Sequence, residues 1–134
     1  VNTLVIIAEQ PWLGVGAGDF VADYAAVNSQ RSPDWKVPTN PHNQLLFTVV
    51  TTGVVGGALL LAVWFAPPWL ARRWPDDGLR VLRVGLPVFY FVICLSESFL
   101  WRTNTTLMFV LFSAWLYGPR SGMLPGGVPA RVSP

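Results

Sequence analysis

Residues 44–70 read QLLFTVVTTGVVGGALLLAVWFAPPWL, twenty-seven consecutive positions without an ionisable side chain. As a helix at ~1.5 Å per residue the stretch is about 39 Å long, enough to cross the ~30 Å hydrocarbon core of a bilayer with some tilt. Gly53, Gly56 and Gly57 lie inside it. Each would weaken a helix in water, whereas in lipid small residues let a neighbouring helix approach closely. Pro67 and Pro68 are expected to end the run, because proline cannot continue the helical hydrogen-bond ladder.

Downstream, Arg72, Arg73, Asp76, Asp77, Arg80 and Arg83 form a short polar hairpin. A second apolar segment spans roughly Val81 to Leu100, with a kink expected at Pro87. A polar break from Ser96 to Thr105 carries Glu97 and Arg102, and a third, shorter segment runs from Thr106 to Tyr117. The Gly/Pro-rich tail after Gly118 reads as disordered. Upstream, Val1 to Pro41 is mixed and rich in Gly, Pro, Asp and Asn, a loop with one short helix near its start.

The whole-chain balance agrees with a membrane protein. Apolar residues make up 52% and charged residues 12%, about half the charge of an ordinary soluble domain. The net charge of +2 does not point to nucleic acid, since the arginines cluster beside hydrophobic segments rather than along a basic stripe. Cys94 lies in an apolar run and has no second cysteine to pair with, so it reads as a small buried or lipid-facing filler. Trp64, Trp69, Trp74, Trp101 and Trp115 fall near segment ends and suit interfacial anchoring. The chain begins with Val1 and has no charged n-region and cleavage site, and it reads as a fragment of a longer protein.

Lys/Arg bias sets the expected orientation. The hairpin holds Arg72, Arg73, Arg80 and Arg83 and the tail holds Arg120 and Arg131, so both face the cytoplasm. The first loop has only Arg31 and Lys36 against Glu9, Asp19, Asp23 and Asp34. His42 and the Glu97/Arg102 break then lie together on the outer face. The expected fold is an all-α integral membrane protein: an outward loop region (1–43), about three transmembrane helices (44–118) and a cytoplasmic disordered tail (119–134). It forms part of a larger polytopic helical bundle.

The densest polar signal is Thr39-Asn40-Pro41-His42-Asn43, directly before the long apolar run. Asn40 suits an N-cap and Pro41 the first helical position. His42 and Asn43 are then expected in the first turn, where free N–H groups and the positive end of the helix dipole favour anions such as phosphate. A histidine there can take a proton from an acceptor hydroxyl or hydrogen-bond a phosphate. Taken alone, one histidine near a membrane interface is more often structural than catalytic. Gly14, Gly16 and Gly18 have the wrong spacing for a dinucleotide fingerprint and read as a turn. Asp19 and Asp23, without histidine or further carboxylates, read as a solvated helix face rather than a metal site. Glu97 with Arg102 reads first as an interfacial ion pair.

His42-Asn43 is followed by nine residues, then Gly53, two residues and Gly56. This resembles the His-Asn/Ser/Gln, nine-residue gap, Gly-x-x-Gly motif of the O-antigen ligase and polymerase family. Pro41-His42-Asn43-Gln44-Leu45-Leu46, Thr52-Gly53-Val54-Val55-Gly56-Gly57 and the upstream Gln10-Pro11-Trp12-Leu13-Gly14-Val15-Gly16-Ala17-Gly18-Asp19-Phe20 are similar to that family as well. Glu97-Ser98-Phe99-Leu100 resembles the outward turn before its last helices, so the likeness extends to about Gly118.

The resemblance implies a multi-pass inner-membrane glycosyltransferase whose first loop is periplasmic, working without metal, nucleotide or other cofactor. It would transfer glycan from undecaprenyl diphosphate to lipid A–core, or extend repeat units as a polymerase. The family's motif histidine, general base or acceptor-orienting group, corresponds to His42. Asn43 corresponds to its neighbour in a supporting, substrate-binding role, and Asn40 belongs to the same binding turn. The family's diphosphate-binding arginines are expected upstream of Val1, and neither Arg31 nor Arg102 is assigned that role. An isolated fragment is then expected to be inactive, with the missing N-terminal helices and the bilayer as its partners. Transfer to protein as an O-oligosaccharyltransferase is an alternative within the chemistry. A membrane solute transporter is the alternative of another class, which would place paired ionisable groups or broken helices near the bilayer midplane.

Overall fold

The computed structural model describes residues 2–74, 76–118, 123–124 and 128–129. Five α-helices follow one another: α1 (Asn2–Glu9), α2 (Phe20–Arg31), α3 (Gln44–Ala71), α4 (Arg80–Ser96) and α5 (Thr103–Tyr117). A 3-10 turn, Phe99–Trp101, joins α4 to α5, and β1 (Met123–Leu124) pairs antiparallel with β2 (Val128–Pro129). The fold is otherwise helical, as the apolar pattern predicts. The rest of the expected tail, with Arg120 and Arg131, lies outside the described residues. The first forty residues hold two helices rather than one. Asn2 Nδ2 donates to Asn28 Oδ1 at 3.1 Å, and Asn28 Nδ2 donates to the Trp35 carbonyl at 2.8 Å. This buried amide chain ties α1 to α2.

Among the described residues, α3 is the one helix long and apolar enough to cross a membrane. It is not straight. Gly53 has φ 70° and ψ −173°, so two helical arms, 44–52 and 54–71, meet at a break. Side-chain contacts fix the consequence. Asn43 bonds the Leu95 carbonyl of α4, while the Trp64 ring packs on Phe91, one turn away on the same helix. In a continuous helix Asn43 and Trp64 would stand about 31 Å apart, whereas Leu95 and Phe91 are separated by only about 6 Å. The first arm therefore folds over at Gly53 towards the end of α4. Only the second arm, residues 54–71 and about 27 Å long, remains as an unbroken helical run. The expectation of one continuous 39 Å crossing is corrected accordingly.

The break is filled by the glycine-rich loop after α1. Val54 N–H donates to the Pro11 carbonyl at 2.8 Å, Val15 N–H to the Val50 carbonyl at 2.9 Å, and Gly16 N–H to the Thr51 carbonyl at 3.0 Å. Backbone groups that the interrupted helix leaves open are thus satisfied by another segment, a requirement for irregular backbone wherever water is excluded. Contact is close enough that a Cβ on Gly53 would overlap the Trp12 carbonyl, and one on Gly14 (φ 66°) would sit 2.5 Å from Thr51 backbone carbon. Gly53 therefore serves the docking of this loop rather than the approach of a neighbouring helix.

Two cores follow from the bend. The first arm buries Gln44, Phe47, Val50 and Thr51, a helical stripe, against Ile6 of α1 and Phe20 of α2. The second arm buries Trp64 against Tyr90 and Cys94 of α4 and Phe109 of α5. On α4 the buried residues Arg83, Pro87, Tyr90 and Cys94 form one face at helical spacing. Cys94 is fully buried, as one of its two expected settings. Trp64 is 1% exposed, so it is a core residue and not an interfacial anchor.

One proline expectation needs adjustment. α3 runs through Pro67 and Pro68 to Ala71, and Pro87 lies inside α4. Each proline withholds one N–H from the ladder, a loss that neighbouring packing tolerates in membrane helices. At the hairpin end, Arg83 is 4% exposed and forks onto Asp77 at 2.8 and 2.6 Å, while its Nε–H donates to the Leu116 carbonyl at 3.0 Å. One charge expected on the polar hairpin is therefore internal, clamping α4 to the last turn of α5.

Candidate functional site

His42 is the one residue other than glycine with positive φ among the described residues, at φ 50°. That conformation disfavours L-residues by roughly 1–2 kcal/mol, and here it is held locally: Asn40 Oδ1 accepts the His42 N–H at 2.9 Å. This Asx turn places His42 outside the helix. The N-cap is Asn43, with φ −155° and ψ 116°, whose Oδ1 accepts from Leu46 N–H at 2.9 Å. The expected cap at Asn40, with His42 and Asn43 in the first turn, is thus corrected by three positions. The reason is tertiary. Asn43 also donates Nδ2–H to the Leu95 carbonyl at 2.8 Å, so the cap falls where one amide can serve two helix ends. Its polar atoms are engaged within the fold.

α4 ends one residue beyond Leu95. Glu97 is its extended C-cap, and Phe99 N–H closes back on the Glu97 carbonyl at 2.9 Å. Thr106 Oγ1 donates to the Leu100 carbonyl at 2.7 Å, and Thr105 Oγ1 donates to the carbonyls of Phe99 and Arg102. These hydroxyls hold the 3-10 turn on the start of α5. Trp101 completes the docking, its ring edge-on to Phe47 with centroids 4.8 Å apart.

The two helix ends bring His42 and Glu97 together across 55 residues. His42 Nδ1 lies 3.2 Å from both carboxylate oxygens of Glu97, and Arg102 reaches the same carboxylate at 3.8 Å. Ser98 N–H donates to Glu97 Oε1 at 2.9 Å. That backbone donor, then the His42 ring, and more weakly Arg102, hold the Glu97 carboxyl below its ordinary range. An ionised carboxylate only accepts hydrogen bonds, so Nδ1 is the ring nitrogen that carries hydrogen. Nε2 is left free. The His42 side chain is 66% exposed and that of Glu97 24%, so the ring stands in water with its inner nitrogen engaged.

Sequence reasoning had placed His42 and the Glu97/Arg102 break on one side, because each lies at the same end of consecutive antiparallel helices. It did not find their hydrogen bond, nor the docking of the Gly14 loop into Gly53. Arg31 lies at the end of α2 and takes no part in the described contacts around His42. Asp19 and Asp23 stand before and within the first turn of α2. Among the described residues the ionic contacts His42–Glu97–Arg102 and Arg83–Asp77 sit at helix ends, whereas the transporter alternative calls for ionisable pairs near the midplane.

Residues 2–61 match the family model described as O-antigen ligase. No curated protein and no solved structure matches the chain. The matched segment contains the Gly14 loop, Asn40, His42, Asn43 and the Gly53 break, so the lock between loop and helix lies wholly within it. Glu97 and Arg102 come from beyond it, in the connection between α4 and α5.

Proposed function

We propose that this chain is part of an O-antigen ligase-type membrane glycosyltransferase that moves a glycan from undecaprenyl diphosphate to lipid A–core on the periplasmic side of the inner membrane. The observation that carries the reading is the setting of His42: a left-handed, locally pinned residue whose free Nε2 faces water beside the apolar α3. Residues held in rare backbone conformations cluster at functional sites.

In this reading the acceptor hydroxyl gives its proton to His42 Nε2 as its oxygen attacks the anomeric carbon. The bond from that carbon to the diphosphate oxygen breaks, and undecaprenyl diphosphate leaves with the electron pair. A single displacement inverts the anomeric centre. Neither metal nor nucleotide enters the step. Asn43 and Asn40 act by fixing the loop that presents His42, a supporting role rather than direct contact. The diphosphate is assigned to arginines outside this chain, so transfer is expected of the full-length, multi-pass protein and not of this chain by itself. α4 and α5 are read as the second and third crossings, with the Arg72–Arg83 hairpin in the cytoplasm.

The test is His42→Ala in the full-length gene, expressed in a matched deletion strain. Loss of surface-glycan ladders with the lipid-linked precursor accumulating, at normal protein level, supports ligation. Collapse to a single repeat assigns polymerisation instead. Loss of glycan from a protein acceptor, with lipopolysaccharide intact, assigns protein glycosylation. Unchanged ladders from a well-expressed variant refute the role of His42.

A further inference from the structure

We infer that Glu97 is a positioning residue for His42, fixing its reactive tautomer and balancing the imidazolium that forms during transfer; this rests on the reading of His42 given above. Three observations carry it. The Glu97 carboxylate meets Nδ1 through both oxygens at 3.2 Å, a two-oxygen cradle that fixes the plane of the ring as well as its hydrogen. The contact is built from both sides. Asn43 joins the start of α3 to Leu95 at 2.8 Å, and Ser98 N–H holds the carboxylate at 2.9 Å, so neither partner reaches the other by side-chain drift. Finally, Arg102 lies 3.8 Å from the same carboxylate, so a fixed positive charge stands beside it in addition to the ring.

The chemistry follows from the roles of the two nitrogens. A neutral imidazole accepts a proton at one nitrogen only, and the hydrogen on the other selects which. With Nδ1–H donated to Glu97, Nε2 is the basic atom, on a side chain that is 66% exposed. When Nε2 takes the hydroxyl proton, the ring becomes cationic next to an anion already in place. Glu97 itself neither gains nor loses a proton. A base oriented by a third group is the recurring arrangement of nucleophile-activating sites.

Glu97→Gln separates this role from a structural one. Its Oε1 still accepts from Ser98 N–H, so the turn keeps its cap, but the negative charge is gone and the amide can present N–H to the ring. Wild type, E97Q, H42A and the H42A/E97Q double variant would be purified as full-length proteins in lipid nanodiscs. They would be assayed with undecaprenyl-diphosphate glycan extracted from the deletion strain and that strain's own lipid A–core. The expected result for E97Q is a turnover lowered on the order of 10–100-fold, within the ~10²–10⁴ that a positioned base contributes, with KM for the lipid-linked donor unchanged. The double variant should be no slower than H42A, because residues acting as one unit are not additive.

E97Q turnover within about twofold of wild type overturns the inference while H42A remains inactive, leaving the reading of His42 intact. A double variant slower than H42A by the full E97Q factor overturns it equally, since Glu97 would then act elsewhere. An active H42A fails the underlying reading instead. Should E97Q not accumulate, E97D serves: it keeps the carboxylate on a shorter arm, and its turnover should lie between wild type and H42A. Turnover of E97D equal to that of H42A would contradict the role of charge.

Discussion

Asn43 and Leu95 join two helix ends across 52 residues: the Asn43 amide donates to the Leu95 carbonyl at 2.8 Å while its Oδ1 caps α3 through Leu46 N–H at 2.9 Å. Helix ends leave N–H and C=O groups without partners, and one carboxamide here serves both kinds. No other side chain of similar size both accepts and donates in this way. The site is assembled by that bridge, since His42 is the residue before Asn43 and Glu97 the second after Leu95.

Asn43→Asp should therefore be at least as damaging as Asn43→Ala, although aspartate is itself a good cap. The carboxylate keeps the Leu46 bond but sets an oxygen against the Leu95 carbonyl. Loss of cap and bridge together in N43A is expected to destabilise by about 2 kcal/mol. Thermal unfolding of the full-length variants in detergent orders the two.

Gly53→Ala is expected to abolish accumulation of folded protein. Its φ of 70° and ψ of −173° fall in a region reserved almost wholly for glycine, and the added methyl would enter the Trp12 carbonyl. A loss of about 3 kcal/mol or more is anticipated from strain and overlap together. Gly18→Ala is the matched control. It has open space around its Cβ and no positive φ, and should leave the melting temperature within about a degree or two, as a surface change of ±0.5 kcal/mol would.

Arg83→Met should weaken the hairpin end without altering the site. The guanidinium is buried, forked on Asp77 and bonded to Leu116, and removing one partner of a buried ion pair costs about 3–5 kcal/mol. Arg83→Lys retains the charge but not the fork and should recover only part of the loss. Unfolding midpoints should fall in the order wild type, R83K, R83M, with glycan transfer per folded molecule unchanged.

Acidification should act through Glu97. Its carboxyl is held below its ordinary value of 4.5, chiefly by Ser98 N–H and then by His42. A depressed carboxyl contributes stability that is full above the unfolded-state value and is lost as pH falls through the folded-state one. E97Q should therefore flatten the decline of melting temperature below about pH 4.5 and leave that group's contribution above it independent of pH. His42→Ala should remove only part of the decline, because the larger cause, the Ser98 donor, remains.

Much of this arrangement is written in local sequence. The charge-free run at 44–70, the polar hairpin and the break at Glu97 place the helices and their connections to within a few residues, and the alternation of antiparallel helices leads to the expectation that His42 and Glu97 share a side. What local reading misses is set by tertiary contact. An apolar stretch containing Gly53 has the same pattern whether it is straight or broken, and only the Pro11–Gly16 backbone decides. Asn40 and Asn43 are equally good caps in isolation, and Leu95 selects the second. Trp64 carries the signature of an interfacial tryptophan, yet packing against Tyr90, Cys94 and Phe109 places it in the core of α3, α4 and α5. Arg83 looks like its neighbours on the hairpin, but a full turn into α4 it faces Leu116.

The most direct test of the central claim is to separate binding from reaction at His42. Full-length wild type and His42→Ala in lipid nanodiscs would be compared for equilibrium binding of the undecaprenyl-diphosphate glycan and for single-turnover transfer to lipid A–core. The account predicts that H42A binds donor within about threefold of wild type while transfer falls by ~10²–10⁴, the share of a positioned base. Transfer at the wild-type rate, or a loss of transfer matched by an equal loss of donor binding, would contradict it.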